Sequence, residues 1–167
     1  MEDLDARRTV VPRRAGPDNA VDLAALWWRS RQASIPSIPP PVHTADEVRA
    51  WFAEVVVPGR EVWLIGEEGA AAALLVLDGG WIDQLYVEPE RVGTGLGARL
   101  VALAKHLRPG GLELDTFQSN RGAQRFYLRH GFVVSGTVDD DNEEGAPALR
   151  LRWTPPGPPA AGTTRAG

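Results

Sequence analysis

Residues 82–98 read IDQLYVEPERVGTGLGA. Ile82 to Val87 form a short run with apolar, aromatic and β-branched side chains, which predicts a strand, and Pro89 ends it. Gly93, Gly95 and Gly97 follow. From about Gly95, Leu96, Leu100, Leu103, Ala104 and Leu107 recur at helical spacing until Pro109, Gly110 and Gly111 stop the helix. A strand, a glycine turn and a helix in this order leave backbone N–H groups uncovered at a helix N-terminus. Their dipoles and unpaired amides favour an anion, and glycine permits its close approach.

Working outward, Glu61 to Gly66, Ala71 to Leu77 and Trp81 to Val87 read as three antiparallel strands separated by the turns 67–69 and 78–80. Upstream, Arg8 to Arg14, with Thr9, Val10 and Val11 interrupted by Pro12, predicts an edge strand. A helix over Ala20 to Arg31 follows, capped by Asp18 or Asn19, with Val21, Ala24, Ala25 and Trp28 on one face. Residues 34–43, SIPSIPPPVH, carry four prolines and predict an irregular loop. Thr44 and Glu47 form a capping box for a second helix with Val48, Trp51, Phe52 and Val55 inward. Downstream come a strand at Leu112 to Thr116, a helix from Asn120 to His130 closed by Gly131, and strands at Phe132 to Val138 and Ala148 to Trp153. This order predicts an α/β (α+β) fold: a mixed, mostly antiparallel sheet of about seven strands with helices on both faces. One domain over residues 8–153 is expected, with a flexible segment at 1–7 and a disordered proline, glycine and alanine tail at 154–167.

Composition narrows the function. The 167 residues are 43% hydrophobic and 24% charged, with six Trp, which excludes disorder for the body of the chain. With no Cys, disulfide scaffolds, thiol nucleophiles and cysteine-bound metal sites are excluded, and no metal site is expected. A net charge of -4 argues against a nucleic-acid partner. The charged N-terminus lacks the apolar core of a signal peptide. The longest apolar run, Ala70 to Leu77, is far below the roughly 20 residues of a membrane-spanning helix. A cytoplasmic protein without a membrane partner is expected.

Two kinds of nucleotide site compete for the glycine turn. Gly93, Gly95 and Ala98 satisfy the G-x-G-x-x-A pattern of NAD(P)-binding Rossmann-type folds, with Asp115 about 20 residues on. That fold, however, enters its turn directly from a buried parallel strand, whereas PERV intervenes here and a meander precedes. The other reading rests on two motifs. Ile82, Leu85, Tyr86, Val87, Pro89, Gly93, Gly95 and Gly97 resemble motif A of the GNAT superfamily of acyl-CoA-dependent N-acetyltransferases. Asn120, Ala123, Phe126, Tyr127, Gly131 and Phe132 resemble its motif B, N-x-x-A-x-x-F-Y-x-x-x-G-F. The resemblance is close over residues 60–135.

It implies acetyl-CoA as cosubstrate and direct attack by a primary amine in a ternary complex. The amides of Gly93, Thr94, Gly95, Leu96, Gly97 and Ala98 would hold the pyrophosphate, joined by the backbone of Val92, which stands where the family has Gln or Arg. The main chain of Leu85, Tyr86 and Val87 would follow the pantetheine arm like an added strand, with Asn120 on the other side. A main-chain N–H near Val87 is the implied oxyanion donor and Tyr127 the general acid.

For the base, Trp81 replaces a Glu used by some members. Strand alternation would set Asp83 on the face of Trp81, Leu85 and Val87, making it the candidate, with His43 as a second. The acceptor, a small-molecule or peptide amine, is expected among the first two helices, loop 34–43 and the acidic loop of Asp139, Asp140, Asp141, Glu143 and Glu144. Trp27, Trp28 and Trp51 would be either its walls or core. The alternative function is a regulatory module that binds acyl-CoA without transfer. A homodimer is the family expectation.

Overall fold

The computed structural model describes residues 11–139 and 141–157. Its first strand, β1 (Arg13–Arg14), begins after Pro12, because proline has no N–H to give a ladder, and Arg13 pairs with Leu64. Of the edge strand expected over Arg8 to Arg14, Arg8, Thr9 and Val10 lie outside the described residues, Val11 and Pro12 are not in a strand, and Arg13 and Arg14 are. Helix α1 (Ala20–Ala33) buries Leu23, Ala24, Leu26 and Trp27, while Val21 is 66% exposed. The inward face is therefore rotated from the expected stripe, since two leucines and a tryptophan remove more apolar surface from water than Val21 and Ala25 would.

Thr44 caps α2 (Ala45–Trp51) as expected: its hydroxyl accepts from Glu47 N at 3.2 Å, and Glu47 accepts from Thr44 N at 2.7 Å. The helix continues through a π turn, Phe52–Val56, into Val57–Gly59. That wider turn passes the inward position from Val55, which is exposed, to the fully buried Val56.

Strands β2 (Glu61–Glu67), β3 (Ala70–Asp78) and β4 (Trp81–Val87) form the meander. Helix α3 (Leu96–Leu107), β5 (Leu112–Phe117), α4 (Arg121–Arg129), β6 (Val133–Val138) and β7 (Ala148–Trp153) follow. All seven strands join one sheet in the order β1-β2-β3-β4-β5-β7-β6, antiparallel except where β4 meets β5. One face packs Leu75, Leu77, Leu114 and Leu151 against Leu100, Val101 and Ala104 of α3 and Tyr127 of α4. The other packs Val62, Leu64, Leu74 and Val76 against α1 and the second helix through Leu23, Leu26, Val48 and Phe52. Helices thus cover both faces, as the sequence predicts. Among the described residues no helix is long and apolar enough to cross a membrane.

Candidate active site

Strands β4 and β5 touch at one pairing, Trp81 with Glu113, and then part. Between them opens a cleft of about 810 Å3. On its β3 side, Ala73 faces Val87 and Glu88 N donates to Ala72 O at 2.8 Å. In such an antiparallel pair the bonds are made by the flanking residues, so Val87 turns its own N–H and C=O away from β3. Leu85, two residues back, does the same. Both therefore present main-chain groups to a gap where β5 supplies no partner, which is what an added strand requires.

The glycine turn closes one end of this cleft. Gly93 and Gly95 have φ of 82° and 93°, and nothing lies within 4 Å of the place where a side chain would begin at either. The positive φ demands glycine, and the open space leaves room for an anion at the start of α3. Gly97 serves packing instead, because a Cβ there would lie 3.2 Å from the Phe126 ring. Val92, Gly93, Gly95, Gly97 and Ala98 line the cleft, with Val92 exposed at its lip. Thr94 and Leu96 belong to the turn without lining the cavity.

From the other wall, Asn120 caps α4, its side-chain oxygen accepting from Ala123 N at 3.1 Å, which leaves its amide N–H groups for a ligand. Tyr127 lies on the α3 side of the sheet with Leu85 and Val87, its ring edge-on to Phe126 and Phe132 at 5.1 and 5.3 Å. Burial, and secondarily the nearby Tyr86, push its phenol above the ordinary tyrosine value. A phenol so placed keeps its proton at neutral pH and has it to give.

Residues 49–134 match the family model of the acetyltransferase (GNAT) domain. The chain belongs to the GNAT family. It is 29% identical over 144 residues, 83% of this chain and 94% of the relative, to the peptidyl-lysine N-acetyltransferase YjaB of Salmonella typhimurium. It is 32% identical over 134 residues, 71% of this chain and 86% of the relative, to an uncharacterised N-acetyltransferase of Mycobacterium tuberculosis. The solution structure of apo YjaB from Escherichia coli superposes with a TM-score of 0.70 at 26% identity, covering 87% of this chain and 98% of that one. The protein is an acetyl-CoA-dependent N-acetyltransferase that acts on an amine, and neither a Rossmann-type domain nor a silent binding module is favoured.

In this acetyltransferase the acids are not where alternation along β4 would set them. Val76 pairs with Gln84 but Leu77 with Ile82, so Asp83 is an extra residue in a β-bulge. The bulge reverses the alternation: Leu85 and Val87 face α3, while Asp83 turns to the α1 side and forms an ion pair with Arg60, whose guanidinium lies over Trp51. Asp83 still lines the cleft, from the opposite face to the one expected. Asp115, across the split on β5, also lines it and is held by Arg150 through bonds of 2.9 and 3.0 Å. His43 lies outside the cleft, 3.3 Å from Glu143 and 3.6 Å from Glu47.

Part of the acidic loop is likewise engaged within the chain, since Glu144 pairs with the buried Arg31 at 3.1 Å. Asp140 lies outside the described residues. Trp27 is core, edge-on to Trp51 at 6.3 Å, and its indole N–H donates to Gln84 at 3.0 Å. Ser30 of α1 and Ser34 and Ile38 of loop 34–43 line the cleft within the regions expected for the acceptor, though the sequence singled out none of them, and it missed Arg129 and His130 at the end of α4. Ser30 reaches the cleft through a contact 57 positions away, whereas Ser34 with Ser30 and His130 with Phe126 each meet four residues apart.

Proposed function

We propose that this enzyme acetylates a lysine-type primary amine, carried by a peptide or by a small polyamine, which enters the split sheet from the α1 side. The observation that carries the reading is the parting of β4 from β5, with the main-chain groups of Leu85 and Val87 turned into the gap beside Tyr127. In this reading the amides from Val92 to Ala98 hold the donor's pyrophosphate. Leu85 and Val87 pair with its pantetheine arm, Tyr86 backs that strand, and Asn120 holds the arm from the α4 side. Val87 N–H then meets the oxyanion as the amine adds to the thioester carbonyl. The C–N bond forms, the C–S bond breaks, and Tyr127 protonates the departing thiolate. The amine's proton leaves to water in the split, with Asp83 at the α1-side lip as the carboxylate that water reaches. The YjaB relative, named for peptidyl-lysine, supports the peptide form of the acceptor. Absence of Cys and use of acetyl-CoA support a cytoplasmic location.

Thiol release from acetyl-CoA, measured across lysine peptides, spermidine, free amino acids and peptide N-termini, tests this. Turnover is expected to be fastest with lysine side chains or polyamines. Tight CoA binding without transfer to any amine would instead make the protein a regulatory module.

A further inference from the structure

Three consecutive residues of α1 grip three consecutive residues at the end of β4. Arg29 holds the Glu88 carboxylate through bonds of 2.6 and 3.1 Å, Ser30 Oγ donates to Val87 O at 3.0 Å, and Arg31 reaches the Tyr86 hydroxyl at 3.5 Å. The middle contact is unusual for its place. A serine inside a helix commonly turns its hydroxyl back to the carbonyl four residues earlier. Ser30 reaches 57 positions along the chain instead, while its own carbonyl accepts from Ser34 Oγ at 2.8 Å. Ser30 is 5% exposed and lines the cleft.

We propose that Ser30 is a positioning residue for acyl transfer, holding the Val87 carbonyl so that Val87 keeps its N–H aimed into the split. In an extended residue the N–H and C=O point to the same side, so fixing one from α1 fixes the other. The β3 ladder turns these groups toward the split, but on the open side β5 has already parted from β4, and among the described residues no other side chain bonds the main chain of β4. A carbonyl has two lone pairs, so the one that Ser30 leaves open is available to an N–H of the attacking amine. One residue then offers a donor to the oxyanion and an acceptor to the nucleophile, and Ser30 sets the orientation of both. This inference rests on Val87 being the oxyanion donor.

Ser30→Ala removes the tether and little volume. The expected result is a kcat about tenfold lower at saturating acetyl-CoA and amine, the scale of one modest misplacement in the transition state. The dissociation constant for acetyl-CoA should change less than about twofold, because the glycine turn and α4 are untouched, and the thermal midpoint should move little. Ser30→Thr, which keeps the hydroxyl, should recover most of the rate. Wild-type kcat in Ser30→Ala overturns the proposal. So does a rate loss matched by an equal loss of acetyl-CoA affinity and thermal midpoint, which would make the bond merely structural. If Ser30→Ala does not fold, Ser30→Cys, nearly isosteric with a weaker donor, is judged by the same criteria. No turnover in the wild type on any amine would overturn the catalytic reading of Val87, and this inference with it, whereas active wild type with unaffected Ser30 variants overturns this inference alone.

Discussion

The Tyr127 ring is buried beside the rings of Phe126 and Phe132 at the wall of the cleft, and among the described residues no protein group bonds its hydroxyl. A hydroxyl that faces the cleft and bonds no protein group contributes little to the fold, so Tyr127→Phe should leave stability nearly unchanged. Catalysis should fall instead. General acid catalysis is typically worth about 100 to 10,000-fold, and a thiolate of pKa near 8.5 needs only modest help, so turnover should fall by about 100-fold. Acetyl-CoA affinity should stay nearly the same, and the deficit should shrink with a donor whose thiol is more acidic. The raised phenol also sets a sign for pH. Because the folded state resists ionisation, its stability holds below the ordinary tyrosine value of about 10 and falls as pH rises beyond it. Alkaline unfolding of Tyr127→Phe should therefore begin at higher pH. Full activity in this variant would reduce Tyr127 to a packing residue, with solvent protonating the thiolate.

Between elements, α3 meets α4 at Gly97, beside the cleft proposed for the cofactor. An alanine there brings its Cβ to 3.2 Å from Phe126 Cζ, so the ring must give by a few tenths of an ångström. Gly97 is the second residue of α3, so replacing it gains the helix less than the roughly 1 kcal/mol of an interior position, which partly offsets the crowding. Gly97→Ala should thus leave global stability within about 1 kcal/mol of wild type, while acetyl-CoA affinity weakens several-fold because Phe126 lines the cleft. Titration by calorimetry beside a thermal melt separates the two, and unchanged affinity would show that Phe126 is free to move.

This element scale also shows where reading the sequence succeeds and fails. Strand, glycine turn, helix and the Thr44 cap were legible because each depends on residues a few positions apart. The face of Asp83 was not, because the bulge is defined by which residues of β3 it skips. The π turn likewise moved burial from Val55 to Val56 within a correctly placed helix. Arg31 with Glu144, and Ser30 with Val87, meet across 113 and 57 positions, and nothing near either residue announces its partner.

At the scale of the whole molecule, the sheet is continuous at its two ends and parted in the middle. The cleft proposed for acetyl-CoA is therefore a gap between the meander and the β5-β7-β6 half. A ligand filling that gap replaces the missing ladder and joins the two halves, yet it finds no such site in the unfolded chain. Mass action then requires stabilisation: at a hundredfold excess over the dissociation constant it amounts to about 2.7 kcal/mol. For a chain of 167 residues each kcal/mol moves the thermal midpoint by about 2 to 4 °C, so saturating acetyl-CoA should raise it by roughly 5 to 10 °C. NAD, presented at the same concentration, should leave the midpoint unchanged, because Asp115, the acid that a Rossmann-type site would turn to a ribose, is engaged here by both guanidinium nitrogens of Arg150. The comparison also separates donor binding from acceptor binding: with the acceptor on the α1 side of the cleft, as proposed, a lysine peptide or spermidine alone should shift the midpoint far less than acetyl-CoA does. A shift produced by NAD and not by acetyl-CoA would sink the placement of the donor in the split.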